Sequence, residues 1–330
     1  MENLSPNSRS FPKGPPTQFE VDPPVVPTVV EAAGPEAKRR FVEFFAANIR
    51  NANTRESYLR SVRFFCQWCE DRSIPLLSVE PTLVAAYVEE IGQWYADGSV
   101  KVHLAAIRML FDYFVTGGVL QFNPAQAVRG PKLVIVKGKT PVLSAADARA
   151  LLDSIDTCRL VGLRDRALIG TMVYSFARIG ATLKMNTDDV WMNGHRYWIR
   201  LHEKGGRYHE MPLHHNAEMY LLEYLDAAQL HGLKGSPLFC TIGRRRELTE
   251  TRMHRNDALR MIKRRARQAG VSPRICCHTF RATGITEYMR NGGTLEKAQQ
   301  MAAHASSKTT NMYNRVNDAV SLDEVERIVI

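Results

Sequence analysis

Residues 190–213 repeat their apolar side chains at every second position, whereas the apolar repeats on either side of them have helical spacing. Two glycine-containing turns divide this stretch, Asn193-Gly194, which is a strong hairpin signal, and Gly205-Gly206. The apolar positions of the strand between the turns are Tyr197, Ile199 and Leu201. The sequence therefore predicts a three-stranded antiparallel meander within a mainly α-helical protein.

Residues 36–130 predict a first domain, a bundle of four amphipathic helices joined by short connections. Asn53-x-x-Glu56 has the pattern of a capping box that opens the second helix, and Pro81 suits the first turn of the third. Residues 1–35 are rich in Pro, Ser, Gly and Val without helical or strand period, which predicts a flexible tail. Three arginines lie largely off the apolar stripe of the second helix, so a solvated face and contact with phosphates are both open for them. These arginines are Arg55, Arg60 and Arg63.

Residues 131–143 form a basic connector bounded by prolines and predict an interdomain linker. Its lysines, which include Lys137 and Lys139, would suit a path along a phosphate backbone. The second domain, residues 144–330, opens with a capping box at Ser144-x-x-Asp147. Within it, the almost wholly apolar stretch 167–183 predicts one buried helix.

Arg178 stands near the end of that apolar stretch, and no acidic residue lies within six positions on either side of it. A buried guanidinium without a counter-ion is strongly destabilising. Three interpretations are open: the side chain is exposed past the helix end, it is paired from a distant part of the chain, or its counter-ion is the phosphate of a ligand. The local sequence slightly favours the ligand phosphate.

A second basic region, Thr251–Gln268, predicts a helix in which Asp257 is the single acidic residue. A solvated face is the usual role of such a run, but the imbalance of charge favours anion binding. The turn that precedes it, Gly243–Arg246, is also basic. The candidate phosphate contacts of the second domain are Arg207, Arg244, Arg245, Arg255 and Lys263.

Composition narrows the class of partner. A formal net charge of +10 and a pI near 9.4 indicate an anionic partner, for which nucleic acid and an anionic membrane surface are both open. The chain contains neither an uncharged apolar run of about 18 residues nor a signal-peptide pattern, so we expect no membrane span. Of the 6 cysteines, only Cys66-x-x-Cys69 has metal-like spacing, and without a second pair of ligands it predicts core thiols in a reduced, cytoplasmic protein.

Residues 278–313 bring together four side chains that are suited to phosphate chemistry. Arg281 can grip a phosphate with two hydrogen bonds. His278 and His304 can exchange protons near neutral pH, and Tyr313 carries a hydroxyl that can form a covalent intermediate. Taken singly, each has a commoner structural role, as a solvated arginine, a structural histidine, or a core or surface tyrosine.

Local signals predict how these residues are arranged. Asn291-Gly292-Gly293 ends one predicted helix, and Thr294 caps a second that runs to about Met301. His278 and Arg281 are three positions apart and share a face of the first helix. His304 then follows the end of the second helix.

The complete pattern of His-x-x-Arg, a second His, and Tyr nine residues later resembles the C-terminal signature of the tyrosine recombinases, the phage-integrase-like family. Thr309-Thr310-x-x-Tyr313 is similar to the T-T-x-x-Y of that family. Arg178, after an apolar stretch, matches the position of its first catalytic arginine. Lys204, in a hairpin that ends Met211-Pro212-Leu213, matches its catalytic lysine. The resemblance covers about residues 36–315.

The chain departs from the family pattern at two positions. The family usually has an acidic residue three positions after the first arginine, where it helps to orient that arginine, and here Ala181 stands in its place. Glu203 replaces the usual small residue before the lysine. A carboxylate at that position could compete for the charge of Lys204 or raise its pKa.

The resemblance implies a two-domain fold, a helical core-binding domain and a mixed α/β catalytic domain, which clamps duplex DNA. It also implies cutting and rejoining of DNA through a 3′-phosphotyrosine at Tyr313. Two arginines and a histidine would neutralise the phosphate, Lys204 would protonate the leaving 5′ oxygen, and His278 would act as general base. No metal or nucleotide cofactor is implied. The catalytic positions are Arg178, Lys204, His278, Arg281, His304 and Tyr313.

The family works as a homotetramer on two DNA sites, and the resemblance implies that the apolar C-terminal segment, residues 322–330, docks on a neighbouring protomer. Packing of this segment within its own chain is equally open, and an accessory DNA-binding protein is compatible with the sequence. Two alternatives share the fold or the chemistry, a type IB topoisomerase and a non-catalytic DNA-binding regulator. A zinc protein built on Cys276-Cys277-His278 is disfavoured because adjacent ligands give poor tetrahedral geometry.

Overall fold

A computed structural model of the protein describes residues 25–132, 138, 140–203, 206, 208–245, 247–272, 274–304 and 306–313. The chain divides into two compact units between residues 134 and 135. The predicted linker spans this division, but residues 133–137 and 139 lie outside the described part of the chain. Within the described part, no helix combines the length and the apolar character that a membrane crossing requires.

The first unit is a set of helices around one apolar core. The helices are α1 (Thr28–Ala32), α2 (Pro35–Glu43), α3 (Ala52–Glu70), α4 (Pro81–Gly92) and α5 (Asp97–Thr116), with a π-helical turn at Phe44–Asn48 and a 3₁₀ turn at Leu76–Ser78. Pro81 begins α4, as predicted. The core is rich in aromatic rings, among which Phe65 and Tyr87 meet edge to face at a centroid distance of 5.1 Å. Burial of these rings is the main stabilising term of the unit.

The predicted start of this unit is wrong in two places. Residues 28–32, predicted to belong to a flexible tail, form α1, because Val29 and Val30 are buried in the core. The backbone N–H of Val29 donates to the Glu70 carboxylate at 2.9 Å, so a residue on α3 satisfies the start of this short helix. The cap of α3 is Asn51 rather than Asn53, since the Asn51 side chain accepts from the Thr54 N–H at 3.2 Å.

The second unit combines eight helices of the described residues with two small sheets. The helices are α6 (Ala145–Asp153), α7 (Leu160–Tyr174), α8 (Ile179–Lys184), α9 (His215–Ala227), α10 (Arg255–Gln268), α11 (Cys277–Arg290), α12 (Leu295–Met301) and α13 (Ser307–Asn311). The strands are β1 (Val190–Asn193), β2 (Arg196–His202), β3 (Tyr208–Pro212), β4 (Cys240–Ile242) and β5 (Leu248–Arg252), and a 3₁₀ turn spans Thr187–Asp189. Ser144 and Thr294 are N-caps, as predicted, and their hydroxyls accept from the N–H groups of Asp147 and Lys297. The Asp147 carboxylate accepts from the Ser144 hydroxyl at 2.8 Å and not from the Ser144 N–H that a capping box would require.

The predicted three-stranded antiparallel meander is confirmed. Its strands pair in the order β1-β2-β3, with Val190 opposite Ile199 and Ile199 opposite Met211. Ile199 and Leu201 on β2 face the apolar core of the unit, as the alternation predicts. β4 and β5 form a separate antiparallel pair, and Arg244 and Arg245 lie in the turn between them.

The apolar stretch 167–183 is not one helix. α7 ends at Tyr174, and residues 175–178 cross to α8 in a non-helical conformation. Phe176 adopts a left-handed backbone, with φ of 54°, which is uncommon for a residue other than glycine. Residues 175–178 contain neither Gly nor Pro, so the local sequence does not mark this break. The break depends on a tertiary contact, since it leaves the Phe176 carbonyl free of the helix to accept from the Arg281 guanidinium.

Arg252, Arg264 and Arg265 are less available to a ligand than the sequence predicts. The predicted basic helix begins only at Arg255, and Arg252 lies on β5, where its guanidinium donates to the carbonyls of Leu183 and Met185. Asp165 on α7 is fully buried and accepts from Arg264 and Arg265. A buried carboxylate of this kind ties α10 to α7 and supplies the negative charge that the local sequence of α10 lacks.

Gly284 lies where α11 packs against α7. A carbon placed at its Cβ position would lie 2.1 Å from the Val173 carbonyl oxygen and 2.8 Å from the Phe176 ring. Real Cβ contacts do not come this close, so α11 can approach α7 only with glycine at this position. The approach brings the first turns of α11 beside the α7–α8 break.

We predict that Gly284→Ala destabilises the second unit by about 1–3 kcal/mol, because the added methyl group must push α11 away from α7. Denaturant unfolding of both proteins measures the difference. Gly98→Ala is the matched control, since the space around Gly98 on α5 is open. It should be neutral or stabilise by about 0.4–1 kcal/mol. Equal stabilities for the two variants would contradict the packing argument.

Candidate active site

Four of the six predicted catalytic residues reach the site from three neighbouring segments, α11, the end of α12 and the end of α13. His278 and Arg281 lie in the first turns of α11, whose N-cap is Cys276. The Thr279 hydroxyl in the first turn accepts from the Cys276 N–H at 3.0 Å. His304 follows α12, and Tyr313 follows α13. The fifth residue, Arg178, stands just before α8, at the end of the α7–α8 break.

Arg281 is 1% exposed and is the largest of the fully buried side chains among the described residues. Its two terminal nitrogens donate to backbone carbonyls of separate segments, Phe176 in the α7–α8 break and Ala302 after α12. Burial, followed by the nearby charge of Arg178, lowers the pKa of Arg281 to about 10, and the charge of Glu203 opposes this fall. The side chain therefore remains a cation at neutral pH.

Arg178 has a counter-ion within the chain, so the preference for a ligand phosphate as its sole partner is wrong. Its NH1 nitrogen lies 2.5 Å from a carboxylate oxygen of Glu203, which follows β2. The Arg178 side chain is 35% exposed and that of Glu203 only 8%. The second of the three interpretations, pairing from a distant part of the chain, is therefore confirmed, while part of the guanidinium still faces outward.

His304 is buried and contacts the predicted nucleophile. Its Nδ1 shares a hydrogen bond of 2.8 Å with the Thr310 hydroxyl. The His304 and Tyr313 rings are nearly parallel, with an interplanar angle of 5° and centroids 5.8 Å apart. The turn that brings the histidine here passes through Ala303, which has a left-handed φ of 46°. Such strain in a residue other than glycine is common at functional sites.

Both histidines of the site are held neutral. Burial, followed by the positive charges of Arg281 and Arg178, lowers the pKa of His304 to about 3. The same three causes in the same order lower the pKa of His278. Two cations close to both rings disfavour a third charge, so both imidazoles are unprotonated at neutral pH and each has a nitrogen that can accept a hydrogen bond.

Tyr313 is anchored through its backbone and its ring. Its N–H donates to the Thr310 carbonyl at 2.9 Å, and its own carbonyl accepts from the Thr286 hydroxyl on α11 at 3.1 Å. The ring packs against a small cluster that contains Phe176 and Ile285. The segment of the tyrosine is thus held to the same helix that carries His278 and Arg281.

The predicted DNA contacts divide into three groups. Lys204, the sixth predicted catalytic residue, and the candidate contacts Lys137, Lys139 and Arg207 lie outside the described residues. Arg55 donates to the Ile49 carbonyl at 2.8 Å, and Arg60 pairs with Glu56 at 3.3 Å, so both have partners within the first unit. The remaining candidates have exposed side chains, and these are Arg63, Arg244, Arg245, Arg255 and Lys263.

Several groups of the site carry no signal in the sequence. The Phe176 and Ala302 carbonyls cannot be anticipated, because backbone groups have no residue type. The sequence marks Glu203 only as a neighbour of Lys204, although its carboxylate pairs with Arg178. It marks Thr310 only as part of the T-T-x-x-Y resemblance. Among the described residues, no cluster of His, Cys, Asp and Glu side chains has the arrangement of a metal site.

Comparisons with known proteins show which family this chain resembles. The family model described as Phage integrase family matches residues 141–319, more than half of the chain, and the phage integrase N-terminal SAM-like domain matches residues 40–118. Tyrosine recombinase XerD of Pseudomonas putida is 27% identical over 271 residues, which cover 81% of this chain and 88% of that protein. Tyrosine recombinase XerC of Pelobacter propionicus is 28% identical over 240 residues, which cover 72% and 76%.

Solved structures show the same fold. The XerH site-specific recombinase bound to palindromic difH substrate, in a post-cleavage complex, superposes with a TM-score of 0.68 at 18% identity and covers 88% of this chain and 83% of that one. A lambda integrase tetramer bound to a Holliday junction superposes with a TM-score of 0.65 at 18% identity and covers 87% and 79%. The mainly α-helical, two-domain architecture predicted from the sequence is therefore confirmed.

We predict that the stability of the protein falls as the pH drops below about 6.5, and that His304 accounts for part of this fall. The pKa of His304 is about 3 in the fold, against 6.5 for an unperturbed histidine, so below pH 6.5 the unfolded chain binds a proton that the folded chain does not. The stabilisation is complete above pH 6.5 and declines by up to about 1.4 kcal/mol per pH unit toward pH 3.

Thermal unfolding of His304→Asn at pH values from about 7.5 to about 4.5, which bracket the unperturbed histidine pKa, measures this effect. The variant should be less stable than the wild type at the upper pH but should lose less on acidification. His231→Asn is the control, because His231 is exposed and pairs with the exposed Asp226. Parallel pH curves for the wild type and His304→Asn would contradict the burial of a neutral imidazole.

Proposed function

Because this chain belongs to the phage integrase family and is a site-specific DNA recombinase, we propose that it cuts and rejoins DNA through a 3′-phosphotyrosine formed on Tyr313. The observation that carries the proposal is the convergence of two arginine cations and two neutral imidazoles beside Tyr313. His304 stacks on the Tyr313 ring, and both arginines lower the pKa of both histidines.

The arginines would bind the phosphate that is attacked. A phosphodiester resists nucleophiles because its oxygens are negative, and the charge on them grows as the fifth bond forms. Arg281 meets this charge with a guanidinium whose orientation is fixed by two carbonyls, and Arg178 meets it with the outward part of its side chain. His304, already neutral, would donate a hydrogen bond to the same oxygens. Such preorganised donors need no rearrangement as the charge develops.

Proton transfer would accompany both halves of the reaction. His278 is neutral in the free protein, since its pKa is lowered, so it can accept the proton of the Tyr313 hydroxyl as the oxygen attacks. The P–O5′ bond breaks, and Lys204, which lies outside the described residues, would protonate the leaving oxygen. Attack by the 5′ hydroxyl of a second DNA end on the phosphotyrosine would then re-form a phosphodiester and release Tyr313.

The partners follow from this chemistry. Duplex DNA would contact the exposed cations Arg63, Arg244, Arg245, Arg255 and Lys263, and the charge of +10 supports an electrostatic component. We propose a homotetramer on two DNA sites, which the lambda integrase tetramer on a Holliday junction supports. Docking through the C-terminal segment remains a prediction, because residues 314–330 lie outside the described part. A cytoplasmic location and room for an accessory DNA-binding protein belong to the same proposal.

Neither alternative from the sequence is favoured by a specific observation. The relatives and solved structures named above are recombinases rather than topoisomerases. A non-catalytic regulator would have no need of a buried Arg281 with both terminal nitrogens held in place.

We predict that the wild type forms a covalent protein–DNA adduct and that Tyr313→Phe forms none, because the variant lacks the attacking oxygen. The substrate is a nicked suicide duplex, whose sequence is first selected from a random duplex pool by binding to the Tyr313→Phe variant. Denaturing gel electrophoresis in the presence of EDTA detects the adduct. An adduct of equal yield from Tyr313→Phe, or none from the wild type on a duplex it binds tightly, would contradict the proposal.

We also predict that Arg281→Lys slows cleavage by about 10²–10³-fold, the usual effect of removing one preorganised donor. An ammonium group cannot reproduce the planar fork that spans the Phe176 and Ala302 carbonyls. Arg290→Lys is the matched control, because Arg290 lies on the same helix but is exposed and pairs with Glu287. Single-turnover cleavage and Tm are measured together, and equal rates for the two variants would exclude Arg281 from the site.

A further inference from the structure

Arg178 and Arg281 carry like charges that repel each other. Each lowers the pKa of groups around it, and the charge of Arg178 is, after burial, the largest cause of the lowered pKa of Arg281. An acidic residue three positions after the first arginine would offset this repulsion from the first turn of α8. In this chain that position holds Ala181, which is buried in the apolar core of the second unit. The counter-charge must come from elsewhere.

Glu203 is built into the fold at the place where this charge is required. It follows β2, which packs against α8 and is paired with β3 through Leu201 opposite His209. Because Leu201 is buried in the core, the end of the strand cannot move freely with respect to Arg178. The Glu203 side chain is 8% exposed, and its carboxylate oxygen lies 2.5 Å from NH1 of Arg178. The ion pair is therefore close and largely shielded from solvent, unlike a surface salt bridge.

We infer that Glu203 is the positioning residue of Arg178 and takes over, from the meander, the role of the acid that is missing at position 181. One carboxylate oxygen holds NH1 of Arg178, and the guanidinium, whose side chain is 35% exposed, has further N–H donors with which it can meet a phosphate. This inference rests on the proposed recombinase function, since it assigns Glu203 to the same reaction.

Two further features support the assignment. Burial and the charge of Arg178 lower the pKa of Arg281, and the charge of Glu203 opposes this fall, so it helps to keep the buried arginine charged. Burial likewise lowers the pKa of His209 and Glu203 opposes it, so the carboxylate acts on several groups. Glu203 precedes Lys204 directly in the sequence, so one short segment would supply both the counter-ion of the arginine and the predicted general acid.

Two other roles for the pair make different predictions. If the carboxylate merely stabilises the fold, its loss lowers Tm and affects cleavage only through folding. If it competes with the DNA phosphate for Arg178, its loss tightens DNA binding and speeds cleavage. A positioning role predicts slower cleavage with unchanged DNA affinity, because the guanidinium stays present but is no longer aimed.

The test compares Glu203→Gln with the wild type in single-turnover cleavage of the selected suicide duplex, together with the Kd for an uncleavable duplex and Tm. Glu203→Gln keeps the size of the side chain and removes its charge. Glu210→Gln is the matched control, because Glu210 lies on the same hairpin and pairs with Arg200 at 2.7 Å on an exposed surface. We expect Glu203→Gln to cleave about 10- to 100-fold more slowly at a temperature at which it is fully folded, with a Kd like that of the control. Its Tm should be lower than that of the control, because the buried ion pair loses its anion.

A second variant places a carboxylate at position 181 in the first turn of α8, the helix that Arg178 precedes as N-cap. The N-cap and the third residue of a helix are neighbours, so Glu203→Gln with Ala181→Asp should recover much of the lost rate. A double variant that keeps the wild-type Tm but gains no rate would contradict the inference. So would Glu203→Gln if it cleaved as fast as the control, cleaved faster than the wild type, or lost rate only in proportion to Kd.

The outcomes separate this inference from the function on which it rests. Absence of an adduct from the wild type would overturn the proposed function and the inference together. In another outcome, the wild type forms an adduct, Tyr313→Phe forms none, and Glu203→Gln is fully active. That result would support the proposed function and overturn only the role of Glu203.

Discussion

The candidate active site depends on the burial of one charged side chain, Arg281. Its guanidinium joins the α7–α8 break to the end of α12 through two backbone carbonyls, and each segment contains a residue with a left-handed backbone, Phe176 or Ala303. Such conformations cost of order 1–3 kcal/mol each and persist only where the surrounding structure requires them. Here the carbonyls that these turns present satisfy an arginine that would otherwise be buried without partners. The same two segments support His304 and the Tyr313 ring.

The second constraint is the balance of charge around this arginine. Arg178 adds a like charge, which the buried carboxylate of Glu203 offsets, and the two histidines respond by remaining neutral. The free site therefore carries a net positive charge with uncharged imidazoles beside it. A phosphodiester that enters this site would supply the missing negative charge, and it would find the donors already oriented. Electrostatic complementarity and the proton chemistry thus arise from one arrangement of side chains.

Much of the fold follows from local sequence. The meander follows from the two-residue period of its apolar side chains. The cap at Ser144 follows from a hydroxyl that accepts a nearby N–H, and the start of α4 follows from the fixed φ of Pro81. All three causes act within a few residues. The failures have a common cause. α1 requires Glu70 from α3, and the break after Tyr174 requires Arg281 from α11, so both are decided by partners far along the chain.

The candidate site shows the same division. The sequence by itself determined which residue types are present and in what order, because His-x-x-Arg, the second histidine and the tyrosine are local patterns whose resemblance to a family can be recognised. Only the tertiary structure decided that Glu203 pairs with Arg178, that Arg281 spans two carbonyls, and that both histidines are neutral. These properties depend on distance and burial, and residues such as Arg178 and Glu203, which are 25 positions apart, acquire them only when the meander packs against the helices.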